Sequence, residues 1–164
     1  MHGKVTEDIR QDALTHLSLT SDLDVALANA AIVIEAAPEV LALKQSLFKR
    51  VPERVSSDTL LATNTSSLSI NSIAAAGTFP ERAVGMHFFN PVAAMKLVEI
   101  VRGESTSADT VARALALAES AGKTAIVVGD SPPPRWGSGS RGHAYALAGS
   151  SKRERHRRCN GARL

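Results

Sequence analysis

Apolar residues along the chain fall into two periods. Short runs at residues 30–35 (AAIVIE), 59–63 (TLLAT), 83–86 (AVGM), 96–101 (KLVEIV) and 124–128 (TAIVV) are too brief for helices and rich in β-branched residues. They predict strands, and the 30–35 run reads as one buried on both faces of a parallel sheet. The intervening stretches carry helical spacing. In residues 6–18, Thr6 is placed to cap a helix, Glu7 and Asp8 suit its positive end, and Ile9, Ala13, Leu14 and Leu17 share a face. Thr20, Ser21 and Asp22 mark a turn. Pro38 opens a helix whose apolar positions are Val40, Leu41, Leu47, Phe48 and Val51. A short helix spans 69–76 and closes at Gly77. Ser107 or Asp109 caps an alanine-rich helix that runs to about Ser120 and stops at Gly122. Strands alternating with helices through short links predict an α/β fold, a mostly parallel sheet with helices on both faces.

Ligands of such sheets sit beyond the carboxyl ends of the strands, so the residues after each strand are the ones to read for chemistry. Three such places are polar: 35–39, 64–67 and 87–90. Each has a plain structural reading. Asn64 and Ser66 suit a helix cap. His87 alone is a structural histidine, and Glu99 could be a surface carboxylate at an edge. Glu99, however, stands among Leu97, Val98, Ile100 and Val101, where an unpaired carboxylate is costly to bury. It wants a partner. His87 lies twelve residues upstream, and antiparallel segments joined through residues 90–95 bring the two together. A carboxylate bonded to one ring nitrogen fixes the tautomer and leaves the other nitrogen to exchange a proton, the arrangement of a His/Glu dyad.

Four stretches, IVIEAAPEVLALKQSLFKRV (32–51), LLATNTSSLSI (60–70), VGMHFFNPVAAMKLVEIVRG (84–103) and GKTAIVVGDSP (122–132), carry a resemblance. The HFFNP and KLVE pair, with NTSSL upstream, resembles the NAD-dependent L-3-hydroxyacyl-CoA dehydrogenases of fatty acid β-oxidation, including 3-hydroxybutyryl-CoA dehydrogenases. The resemblance covers about residues 20–132. It implies a Rossmann-like fold, NAD as cofactor and reversible oxidation of a 3-hydroxyacyl-CoA to the 3-oxoacyl-CoA. It implies His87 as the catalytic base, Glu99 as its carboxylate partner and Ser66 as the hydroxyl on the substrate's reacting oxygen. Glu39, Lys44 and Asn64 match positions lining the ribose and nicotinamide end of the dinucleotide, and Asn90, with Pro91, shapes the substrate pocket. An acyl-CoA substrate, a homodimer or a place in a multifunctional complex, and a cytoplasmic location follow in the same way.

The chain departs from that family at both ends. No G-x-G-x-x-G turn opens it, so the expectation is a partial Rossmann-like sheet lacking the first βαβ unit, residues 1–132 forming an incomplete NAD-binding domain. Past residue 132, where the family continues with Gly-Phe, an Asn-Arg pair and a helical substrate and dimerisation domain, this chain turns to PPRWGSGSRGH. Residues 133–164 read as a basic, unstructured tail, and the abrupt change of composition reads as a shifted reading frame. A fragment of this kind is expected to have low or no activity.

Charge and composition sharpen this reading. At 44% hydrophobic and 21% charged, the 164 residues match a globular average and exclude wholesale disorder. No apolar run approaches the ~20 residues of a membrane span, which together with the plain N-terminus predicts a soluble, intracellular chain without a membrane partner. The single cysteine, Cys159, excludes a disulfide framework and a cysteine-based zinc site within one chain, and no metal is expected. The net charge of +3 is unevenly laid out. Residues 1–134 hold 11 Lys+Arg against 15 Asp+Glu, whereas residues 135–164 hold 8 against 1. The rival reading, a non-catalytic module binding nucleic acid through 135–164, therefore rests on the tail alone and is not the favoured one.

Overall fold

The computed structural model describes residues 5–130 and the backbone of the short strand Ala144–Tyr145. The predicted domain boundary at 132 and the tail's other residues lie outside the described residues. Among the described residues, five α-helices and six strands follow in the order α1 (Glu7–Thr15), α2 (Leu23–Leu27), β1 (Ile32–Glu35), α3 (Leu41–Arg50), β2 (Leu60–Thr63), α4 (Ile70–Ala74), β3 (Ala83–Phe88), β4 (Leu97–Arg102), α5 (Ala108–Ser120), β5 (Thr124–Gly129) and β6 (Ala144–Tyr145). One sheet joins the strands in the order β1-β2-β3-β4-β5-β6. β1, β2 and β3 run parallel, β4 reverses against β3, and β5 is parallel to β4. The fold is the expected α/β sheet with helices on both faces.

Alternation along the strands sends side chains to two cores. On one face, Leu60, Ala62, Val84, Met86, Val98 and Ile100 meet Val111, Ala114 and Ala118 of α5. Two of those three helical residues are alanines, so α5 lies close on the sheet. Ser107, of the two candidates, is its cap and accepts from Thr110 N at 3.1 Å, and Gly122 ends it at φ 68°, a conformation that favours glycine. On the opposite face, Leu61 and Ala83 meet Phe48, Val51, Ile73 and Leu27. Gly85 allows α4 onto the centre of the sheet: a Cβ there would stand 2.7 Å from Val101 Cβ and 2.8 Å from Ile70 Cδ1.

Three expectations need correction, and one helix, α2, was not expected. β1 is not buried on both faces, for Ile32 and Ile34 are exposed. Among the described residues it is an edge strand, bonded to β2 on one side only. Pro38 does not open α3; its carbonyl accepts from Val40 N at 2.7 Å in a tight turn, and the helix starts at Leu41. The inward stripe of α3 is Lys44 and Phe48 with Val51 just beyond, while Val40 and Leu41 face outward. Residues 20–22 lead directly into α2, which Asp22 caps by accepting from the amides of Asp24 and Val25. α1 forms with Thr6 as its cap and buries no residue.

Candidate active site

β1, β2 and β3 end on one rim, with Glu35 beside Thr63 and Thr63 beside Gly85. His87 is thus two residues past the last paired position of β2. The cross-strand register sets it directly opposite Glu99 on β4. His87 Nδ1 lies 2.8 Å from Glu99 Oε2, and both side chains are half-buried. A carboxylate there accepts from Nδ1–H and leaves Nε2 as the free acceptor. The Phe89 ring stands 4.5 Å from the imidazole, tilted by 48°, and restricts its rotation. The loop joining the two strands is tied down by Lys123, whose ammonium donates to the carbonyls of Val92 and Met95.

Asn64 connects the ends of β2 and β3. Its Oδ1 accepts from Phe88 N at 2.9 Å, so its amide N–H2 is the end left to meet a ligand. Asn64 does not cap α4; Ser69 does, accepting from Ser72 N. Ser66 and Asn90 are exposed on the same rim as His87, each in the loop that follows its strand.

A second cluster of charge lies under the β1 and β2 loops. Lys44 is fully buried. Its Nζ donates to both oxygens of Glu35 at 2.9 and 3.0 Å and to Ala37 O at 3.1 Å, with Glu39 Oε2 3.4 Å away. Thr63 Oγ1 and Ala37 N also donate to Glu35, at 2.6 and 2.5 Å. Glu39 holds the next turn, its Oε1 accepting from Thr65 Oγ1 at 2.5 Å, from the amides of Ser66 and Ser67, both at 3.1 Å, and from Ser67 Oγ at 3.0 Å. Partial burial alone would raise the Glu39 carboxyl. The Thr65 hydroxyl, the Ser67 amide and hydroxyl and the Lys44 ammonium outweigh it and hold the pKa at about 2.

The sites read from the sequence therefore fall into two groups. His87, Glu99, Asn64, Ser66 and Asn90 share one rim with Glu39, whereas Lys44 lies beneath it, engaged by protein oxygens. Glu35, Thr63 and Thr65 carry this underlayer; Glu35 and Thr65 fall in the polar stretches 35–39 and 64–67 but were given no role from the sequence, and Thr63 lay outside them, although the signal was an acid closing an apolar strand with a lysine nine residues on. The rim gathers a carboxylate (Glu39), an amide (Asn64) and an imidazole (His87), groups able to bond hydroxyls and to exchange a proton. None of the described helices opens on a glycine-rich turn of the kind that holds a pyrophosphate. Among the described residues no cluster of three or more His, Cys, Asp or Glu could hold a metal, and no helix is long and apolar enough to cross a membrane.

An α/β sheet with its polar groups gathered at the parallel strand ends is the arrangement of a nucleotide-binding domain, and comparison with known proteins narrows the class. Residues 1–131 match the family model of the 3-hydroxyacyl-CoA dehydrogenase NAD-binding domain. The chain belongs to that family, whose cofactor is NAD. It is 46% identical over 130 residues to a protein of Bacillus subtilis named a probable 3-hydroxybutyryl-CoA dehydrogenase, covering 79% of this chain and 45% of that one. It is 41% identical over 130 residues to the 3-hydroxybutyryl-CoA dehydrogenase of Clostridioides difficile, covering 79% and 46%. The crystal structure of the Escherichia coli 3-hydroxybutyryl-CoA dehydrogenase superposes with a TM-score of 0.76 at 44% identity, over 80% of this chain and 28% of that one. The chain spans less than half the length of these curated relatives.

Proposed function

We propose that the chain carries the acid–base centre and the nicotinamide side of an NAD-dependent dehydrogenase that oxidises (S)-3-hydroxyacyl-CoA to 3-oxoacyl-CoA. The observation that carries this reading is the 2.8 Å bond between His87 Nδ1 and Glu99 Oε2 on facing strands. His87 Nε2 takes the proton of the substrate's 3-hydroxyl. Glu99 orients the ring and stabilises the imidazolium that results. The Ser66 hydroxyl holds the reacting oxygen. Bound at this rim, NAD would supply the hydride acceptor for C3. Glu39 and Asn64 orient the ribose and nicotinamide end, Lys44 acts on that end through Glu39, and Asn90 shapes the substrate pocket beside the dyad. In the reverse direction His87 returns its proton to the 3-oxo oxygen.

An intact enzyme of this type pairs as a homodimer or works within a multifunctional assembly, and it acts in the cytoplasm. Positioning supplies much of the rate of such reactions, and none of the described helices opens on a glycine-rich turn for the pyrophosphate, so a slow turnover is expected of the described part. The test is NADH consumption with acetoacetyl-CoA, the chain against its His87→Gln variant. The expected result is a low rate that the substitution abolishes; a rate untouched by it removes the dyad. The nucleic-acid alternative rests on residues 135–164, outside the described structure. A salt-dependent RNA or DNA binding titration, with and without those residues, decides it.

A further inference from the structure

The dehydrogenase reading gives a part to Lys44 and none to Glu35, the carboxylate it is buried with. A lysine and a glutamate, both charged side chains, are sealed beneath the β1 and β2 loops, with side-chain exposures of 1% and 6%. Buried ion pairs are a poor source of stability, because desolvation offsets most of their attraction, and they endure where their geometry is needed. Here the geometry surrounds a single residue, Ala37, through the two peptide groups that flank it. Glu35 Oε1 accepts from Ala37 N, and Lys44, held by the same carboxylate, donates to Ala37 O. The loop between β1 and α3 is clamped from both sides two residues before Glu39. The other Glu35 oxygen accepts from Thr63, the last residue of β2. The carboxylate therefore fixes the β1 loop to the strand whose own loop Glu39 holds.

We propose that Glu35 is a positioning residue: through Lys44 and Ala37 it sets the place of Glu39, and through Glu39 it orders the Thr65–Ser66–Ser67 turn at the cofactor rim. Glu35 touches neither cofactor nor substrate. Its consequence for NAD rests on the dehydrogenase reading, but the clamp does not. Two linked loops would otherwise move independently, and the carboxylate for the ribose would lose its register with the Ser66 hydroxyl.

The test uses the full 164-residue chain. Removing one charge of a buried pair strands the other, so the informative variant is the double substitution Glu35→Gln with Lys44→Met, which removes both. Thr63→Val, which keeps the volume and deletes one bond to Glu35, serves as a milder second variant. The readouts are amide hydrogen exchange by NMR, which resolves local opening from global unfolding, and KM against kcat for NADH with acetoacetyl-CoA. Expected is an about tenfold faster exchange at the Ser66 and Ser67 amides in the double variant and about threefold in Thr63→Val, with Met86 and Ile100 unchanged. KM for NADH rises about tenfold in the double variant while kcat stays within about threefold. Ser66 and Ser67 exchange within about twofold of the parent, in whichever variant folds, overturns the clamp. Faster exchange at those amides in a chain that consumes no NADH supports the clamp and counts against the dehydrogenase reading alone.

Discussion

Two polar side-chain pairs lie within a few residues of the same rim, and they are built on opposite plans. His87 and Glu99 are half-buried, with side-chain exposures of 18% and 19%, and are joined by one bond that leaves an imidazole nitrogen open. Lys44 and Glu35 are sealed, and Glu35 has both oxygens filled by Lys44, Thr63 and Ala37. A group with an unused acceptor at a solvent-reaching edge can exchange a proton with a substrate. A saturated group cannot, and contributes by holding its neighbours. The difference separates the chemistry of the site from its scaffold: substitution of the open pair should strike kcat and spare stability, and substitution of the closed pair should strike stability and KM for NADH while leaving kcat nearly unchanged.

The largest effect that tests this contrast is on rate. His87→Gln is expected to lower NADH consumption by about 10²–10⁴-fold, the usual worth of a positioned acid–base group, while urea unfolding changes by less than about 1.5 kcal/mol for one lost hydrogen bond. Glu99→Gln acts through the same imidazole, so the double variant should be no slower than the worse single one. Rate losses that multiply in the double variant would show that the two residues work separately. On the other pair, Lys44→Met leaves the Glu35 carboxylate buried without its cation, and a loss of about 3–5 kcal/mol is expected in urea unfolding. A loss below about 1 kcal/mol would mean that water reaches Glu35 and that the pair is not sealed.

The same contrast explains what the sequence made legible. His87 and Glu99 are the two sides of one short hairpin, and the apolar run around Glu99 made a partner necessary, so their pairing followed from local pattern. Asn64 and Ser66 were placed at the right rim by the end of an apolar strand. Lys44 was not legible as a core residue, because α3 has apolar residues on more than one side and its rotation is decided by Glu35, a tertiary demand. Ile32 and Ile34 read as core because the pattern records hydrophobicity and not whether a second layer covers it. α2, at five residues, is too short to show a period, and only Asp22 signalled its start. The helix of residues 41–50 began three residues later than Pro38 because Glu39 is committed to the neighbouring turn and cannot sit in a first helical turn.

A smaller effect concerns pH. Glu39 has its carboxyl lowered from 4.5 to about 2 in the folded chain. A carboxyl depressed on folding contributes stability that is fully present above its unfolded pKa and is lost as pH falls through the folded one, here between about 4.5 and 2. Stability followed by urea unfolding across that window should fall less steeply in Glu39→Gln than in the parent chain. Equal slopes would mean that the Thr65 and Ser67 bonds to this carboxylate do not persist in solution.

The smallest expected effect lies farthest from either pair. Glu7 and Arg10 in α1 form an ion pair at 2.7 Å with side-chain exposures of 65% and 61%, and α1 buries none of its residues. Solvent screens such a pair, and its helix transmits nothing to the core, so Glu7→Gln should change global stability by less than about 0.5 kcal/mol and raised salt should abolish even that. The measurement nevertheless discriminates, because α1 carries Ile9 and Leu14 exposed on its surface. A loss well above about 1 kcal/mol, insensitive to salt, would require α1 to be packed on an apolar surface in solution. Charge on this chain would then matter to the fold beyond the buried cluster that joins Glu35, Lys44 and Glu39.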